Sequence, residues 1–362
     1  MYKFKKFTFD SRFFKVYNPK LLFIACLSFL FLRGQSDDVR LDFEQNFLIP
    51  GTSIRAIEID EQSNLWFAGS DGKFGRIAND RLQLDSLTFE EKHPSFRSLA
   101  LRKNEAFALS IENPALLFRL PEPGSGEVPE LIYKEEHPDV FYDSMTFLNP
   151  DVGIAMGDPI DGCLSILITT DGGQTWKKKS CLELPPVSPG EAGFAASDTN
   201  IASRGDLIWI GTGGAKARVF VSRDKGESWK VFDTPLIQGG TMTGIYSLDF
   251  ADELNGIAMG GNWEKKGDFT NTKAVTEDGG KTWSLVSNGE LPGYISCVQY
   301  VPETDGKELL ACSTEGIYYS NDRGRNWTKL SDTGFYSLRF ENRERLWMSK
   351  NNEISKVTLK RR

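Results

Sequence analysis

Four eight-residue strings of one pattern constrain this chain more than any other feature: TTDGGQTW at 169–176, SRDKGESW at 222–229, TEDGGKTW at 276–283 and SNDRGRNW at 320–327. In each, a Ser or Thr is followed two residues on by Asp, then by Gly, and the string closes on Trp. An Asp carboxylate can accept backbone N–H groups of its own turn, Gly supplies backbone geometry that other residues resist, and Trp folds back to plug the turn. Asp171, Asp224, Asp278 and Asp322, with Trp176, Trp229, Trp283 and Trp327, are therefore read as structural. Recurrence at spacings of 53, 54 and 44 residues marks a repeat architecture, in which each unit buries its apolar face against the next.

Short apolar strands recur around these turns. Seven follow a turn (LWFAG at 65–69, AFALS at 106–110, VGIAMG at 152–157, LIWIG at 207–211, NGIAMG at 255–260, ELLACS at 308–313, RLWMS at 345–349), and an alternating or apolar segment precedes each. The agreement predicts an all-β chain: a single seven-bladed β-propeller of four-stranded blades over residues 37–362. Residues 38–48, DVRLDFEQNFL, stand before the first unit without a partner. They are expected to complete the last blade, which would remove open sheet edges.

The repeated string is the Asp box, or bacterial neuraminidase repeat, and from about residue 40 to 360 the chain resembles Asp-box β-propellers. Within them it looks most like the photosystem II stability and assembly factor family and its relatives in non-photosynthetic bacteria. That resemblance implies a non-catalytic propeller that binds other proteins, as an assembly or stability factor for an envelope complex. Sialidases share the boxes, so a sialidase-type glycoside hydrolase and a glycan-binding lectin stand as alternatives. A hydrolase of that type resembles a site with an Arg cluster, a Tyr nucleophile paired with Glu, and an Asp acid/base. No such set can be assigned here, and FLIPGTSIR at 47–55 lacks the Arg before Ile-Pro that those enzymes carry; no catalytic residue is named.

Ahead of the repeats, six Lys/Arg precede the apolar run LLFIACLSFLFL at 21–32. As a helix, twelve residues span only about 18 Å against a bilayer core of roughly 30 Å, so residues 1–36 read as a cleaved secretory signal rather than a membrane span. A lipoprotein reading at Cys26 is the alternative. The chain is expected to be exported, to the periplasm, outer surface or medium. Residues 37–362 carry 36 Lys/Arg and 49 Asp/Glu, a net charge of −13, which argues against nucleic acid as a partner. Cys163 with Cys181, and Cys297 with Cys312, are each symmetric about a turn and face one another across neighbouring strands; each pair is either a disulfide or two small buried hydrophobes. With two His and no metal-binding loop, neither a metal site nor a cofactor is expected.

Candidate binding residues fall in two groups. Long loops of the third to fifth units emerge on the face opposite the Asp boxes and carry Asp158, Asp161, Glu191, Lys216, Arg218, Gln238, Asn262, Trp263 and Asn271, a mixture suited to a protein or a glycan. Reversing Lys216 and Arg218 to Glu is expected to abolish capture without loss of stability. The second group, Arg55, Arg97 and Asp143, lies on innermost strands, where alternate side chains approach the central channel. Those residues form either a ligand site or a set of mutually paired polar groups.

Overall fold

Strands that follow one another across Gly- and Asp-bearing turns pair antiparallel, so local sequence order becomes sheet order. A computed structural model describes residues 39–361; the expected leader, its cleavage and Cys26 lie outside the described residues. Residues Val39–Lys360 form one unit, all β but for a 3-10 turn at Trp263–Lys265.

Counted by hydrogen-bonded sheets, the propeller has six blades, not the seven expected. Four sheets have four strands, beginning at Phe96–Arg102, Tyr142–Phe147, Ile201–Arg204 and Cys297–Tyr300. The count is overturned by the strand Arg40–Ile59. Its first half pairs with Arg345–Lys360, from Arg40 opposite Lys360 to Leu48 opposite Glu353, and its second half pairs with Leu65–Gly69. Segments that the repeat pattern assigns to the last and first units thus share one six-stranded sheet. The physical reason is a soft bend in place of a turn. Gly51 takes φ 75°, its N–H and that of Thr52 donate to the Asn352 side chain (2.8 and 3.2 Å), and the register shifts without ending the strand. The sixth sheet gains two extra two-residue strands, Glu191–Ala192 and Gly213–Gly214, at the edge of Thr243–Phe250.

Each Asp box joins the third strand of its sheet to the fourth, as expected. In the first box, Asp171 accepts from the Thr169 and Thr175 hydroxyls (2.8 and 2.6 Å) and from the Thr175 amide (2.9 Å), and the other three boxes repeat the scheme, with the Asn326 side-chain amide in place of the second hydroxyl in the last. Burial opposes ionisation of Asp171, but the Thr175 hydroxyl and amide outweigh it and hold the carboxyl at about 2. Trp229, Trp283 and Trp327 each donate their indole N–H to the Gly carbonyl three residues earlier; Trp176 packs edge-on against Phe147 instead and its indole nitrogen has no partner. Between sheets the core is built from such aromatics. Trp209 stacks on Phe250 at 3.7 Å and donates to Gly279 O of the next Asp box, tying one sheet to its neighbour's turn.

One segment departs from the repeat. The apolar segment that precedes LIWIG, AGFAAS at 192–197, does not form a regular inner strand: regular pairing begins only at Ile201, and residues 194–200 run irregularly across the channel. Arg55 and Arg97 donate to Ala196 O and Ala195 O; Asp198 accepts from the Leu99 and Met145 amides (2.8 and 2.9 Å); Ser337 donates to Ser197 O; Arg339 donates to Asp198 O; and Thr199 bonds Ser247. Five inner strands thus hold one crossing peptide.

Cys163 and Cys181 are disulfide-bonded, with Cα atoms 5.5 Å apart. Cys297 and Cys312 oppose each other in register, as the turn symmetry predicts, but are buried free thiols. Reducing the Cys163–Cys181 bridge, or replacing Cys181 by Ser, is expected to cost about 2–4 kcal/mol through loop-closure entropy. Urea midpoints with and without reductant check this, and an unchanged midpoint would remove the bridge from the stability account.

Candidate functional site: a charged aromatic cup on the loop-bearing face

The innermost strands bring Arg55, Arg97 and Asp143 to one end of the channel, and the crossing segment floors it. The result is a cavity of about 340 Å³ lined by these three residues, Asp158, the Ala192–Ala196 backbone and a mostly aromatic wall. Phe194 stacks on Tyr246 at 4.0 Å, Tyr294 meets Tyr246 edge-on at 4.8 Å, and Trp263 meets Tyr294 edge-on at 5.3 Å. Asn262 seats Trp263 by capping the short 3-10 turn, accepting from the Glu264 and Lys265 amides. Lys266 Nζ lies 4.0 Å over the Trp263 ring.

The four charged groups of the cup bond only to backbone among the described residues. Arg55 and Arg97 each donate one Nη1 to a carbonyl (2.9 and 3.0 Å), and Asp158 accepts the Gly193 amide at 2.8 Å. Both Nε atoms lack partners, and Asp143, fully buried, makes no hydrogen bond of ordinary geometry through either oxygen. Burial and then the nearby Asp158 push Asp143 well above the carboxylate range, against Arg97 and the Ala195 amide. Burial likewise lifts Asp158 to about 6. Burial and the like charge of Arg55 lower Arg97 to about 10, and burial lowers Arg55. Arg55 lies 3.9 Å over the Tyr336 ring.

A second cavity of about 330 Å³ is lined by Asp198 and Thr199 of the crossing segment and by the strand Ile201–Arg204, with Glu58, Asp249, Gln299 and Arg339. Its charges are matched: Arg339 pairs with Glu58 at 2.8 Å, Arg204 with Asp249 at 3.3 Å, and Asp249 also accepts the Tyr300 amide. The charges of this cavity are thus paired with one another, whereas Arg55, Arg97 and Asp143 in the cup make no ion pair among the described residues. Unmatched buried charge is what a ligand can relieve, so the cup is the candidate site.

The structure separates the loop candidates. Asp158 and Trp263 line the cup. Glu191 and Arg218 do not face a partner: Glu191 is buried and its carboxylate takes Arg218 Nε (3.0 and 3.2 Å) and Nη2 (2.6 Å), the Thr212 hydroxyl and the Ser188 amide. That pairing argues against reversing Arg218 without loss of stability. Lys216 is exposed on the loop. Asp161 (φ 57°) and Asn271 (φ 53°) hold left-handed turn positions, and Gln238 accepts the Ala217 amide.

Sequence reasoning missed Phe194, Tyr246 and Tyr294, yet a signal exists. Buried Ser residues recur on the inner strands and in the crossing segment, and the residue just before Ser98, Ser144, Ser197 and Ser247 lines the cup: Arg97, Asp143, Ala196 and Tyr246. Aligning inner strands on that Ser would have placed Tyr246 beside the Arg and Asp. The hydrolase pattern is not assembled here. Tyr133 and Tyr142 donate to Glu135, but none of these three lines the cup, while Tyr246, which does, donates to Met242 O.

A BNR/Asp-box repeat matches residues 167–178. No curated protein matches the sequence. Among solved structures, YCF48 bound to a D1 peptide aligns with TM-score 0.63 at 11% identity, over 88% of this chain and 98% of that one. YCF48 from Cyanidioschyzon merolae aligns with TM-score 0.59 at 13% identity, over 88% and 98%. A virginiamycin B lyase from Staphylococcus aureus aligns equally well, with TM-score 0.63 at 11% identity over 89% and 100%, so likeness at this level speaks to fold alone. The chain thus carries an Asp-box repeat on a β-propeller fold.

Proposed function

We propose that this protein is an exported, non-catalytic propeller that binds another protein on its loop-bearing face and serves the assembly or stability of an envelope complex. The observation that carries the reading is the cup, where unpaired guanidiniums and carboxyls meet an aromatic wall at the centre of that face. Aromatic side chains and Arg are the groups that dominate protein–protein recognition. A propeller of the same fold bound to a D1 peptide supports a protein-binding reading. The basic, apolar leader and the Cys163–Cys181 bridge support export, because disulfides persist in oxidising compartments.

The test is a cross-linked pull-down from native envelopes with tagged protein, wild type against Trp263→Ala, followed by rebinding of the purified partner. One partner is expected to be captured saturably by wild type and at least about tenfold more weakly by the variant, whose melting stays near wild type. Recovery of glycan without protein would turn the reading to a lectin, and turnover of chromogenic glycosides would turn it to a hydrolase.

A further inference from the structure

We propose that the cup is a binding site for a small zwitterion, an α-amino acid with an apolar or aromatic side chain: its carboxylate on Arg55 and Arg97, its ammonium at Asp143 and Asp158, its side chain against Phe194 and Tyr246. This goes beyond the protein-binding reading and does not depend on it.

The argument is one of matching. The cup contains two cations beside each other and two carboxyls beside each other, and the hydrogen bonds of all four go to backbone or are missing. An anion would satisfy the guanidiniums and leave Asp143 buried without a partner. A cation would do the reverse. One molecule carrying both charges relieves both costs, and burial makes each charge-assisted bond count for more than it would in water. Much of the remaining lining is aromatic, which suits an apolar side chain. About 340 Å³ is at the small end of ligand pockets, enough for an amino acid or a dipeptide. Gly193 shows how closely the carboxyl wall is built: its amide holds Asp158, and a Cβ there would stand 2.3 Å from Asp143 Oδ2.

A proton balance follows. Burial and the neighbouring Asp158 favour the neutral form of Asp143 in the empty cup; an arriving ammonium favours the carboxylate, so the carboxyl O–H bond breaks and the proton leaves to solvent. Binding near pH 7 is expected to release up to about one proton per ligand.

The test is titration calorimetry on the purified chain with L-phenylalanine, N-acetyl-L-phenylalanine and L-phenylalaninamide, in two buffers of different ionisation enthalpy. Saturable binding of L-phenylalanine with proton release is expected, and each capped compound should bind at least about tenfold more weakly. Asp143→Asn should erase the preference over the acetylated compound, and Arg97→Gln the preference over the amide. Equal affinity for the acetylated compound would mean a carboxylate site, equal affinity for the amide an ammonium site, and either overturns the proposal, as does absence of saturable heat with L-phenylalanine. The capped compounds need no variant, so a variant that fails to fold does not spoil the test. A chain that captures its protein partner without binding L-phenylalanine overturns this inference and leaves the protein-binding reading standing.

Discussion

Arg218→Ala is expected to lower the unfolding free energy by about 3–5 kcal/mol, the range for removing one partner of a buried ion pair. The Glu191 side chain is wholly buried, while Arg218 is 17% exposed and covers it with three N–H···O contacts. Without the guanidinium, the Thr212 hydroxyl and the Ser188 amide are all that face this charge. Arg218→Glu adds a second carboxylate at the same place and is expected to prevent accumulation of folded protein. Lys216→Glu, two residues away on an exposed loop position, should change stability by less than about 0.5 kcal/mol. Urea denaturation of the three variants checks the set, and an Arg218→Ala midpoint equal to wild type would mean that Glu191 finds another partner or takes up a proton.

Asp198→Ala is expected to cost about 2–6 kcal/mol, because the Leu99 and Met145 amides would each be left buried without an acceptor at about 1–3 kcal/mol apiece. The loss should be cooperative across sheets, since Asp198 is the point where the crossing segment grips the second and third inner strands. The same residue gives stability a pH dependence. Burial raises its carboxyl to about 8, against Arg339 and the two amides that favour the charge. The unfolded chain releases that proton near the ordinary value of about 4. Between roughly 4 and 8 the folded state therefore binds the extra proton, so stability is greatest below that window and falls as pH rises through it. Urea midpoints at pH 5, 6, 7 and 8 should decline for wild type and decline less for Asp198→Ala. A wild-type curve that rises across this range would show the carboxyl to be ionised in the folded state.

These two positions show where reading a sequence reaches and where it stops. The Asp boxes were legible because their bonds are local: Asp171 reaches no farther than Thr175, and the spacing that makes the turn is the spacing in the chain. Cys297 and Cys312 could be placed opposite each other because a hairpin converts symmetry about a turn into register, although register did not decide oxidation. Glu191 and Arg218 were both identified as loop charges, but 27 residues separate them and only the folded loops reveal that they neutralise one another. The FAAS of the crossing segment looks like its counterparts in sequence, but its contacts reach Arg55 and Arg339, 141 residues away on either side.

What the sequence determined by itself is the repeating part: antiparallel strands, Asp-box turns, an all-β propeller, and the innermost position of Arg55, Arg97 and Asp143. Those follow from side-chain alternation and turn chemistry, which act over a few residues. Tertiary structure alone decided the six-sheet count, since whether a strand ends or merely bends at Gly51 depends on Asn352 from the far end of the chain. It also decided which charges are paired and which are not. Pairing in a closed ring is a matter of distance in space, and residues at corresponding positions of different repeats become neighbours only when the ring closes.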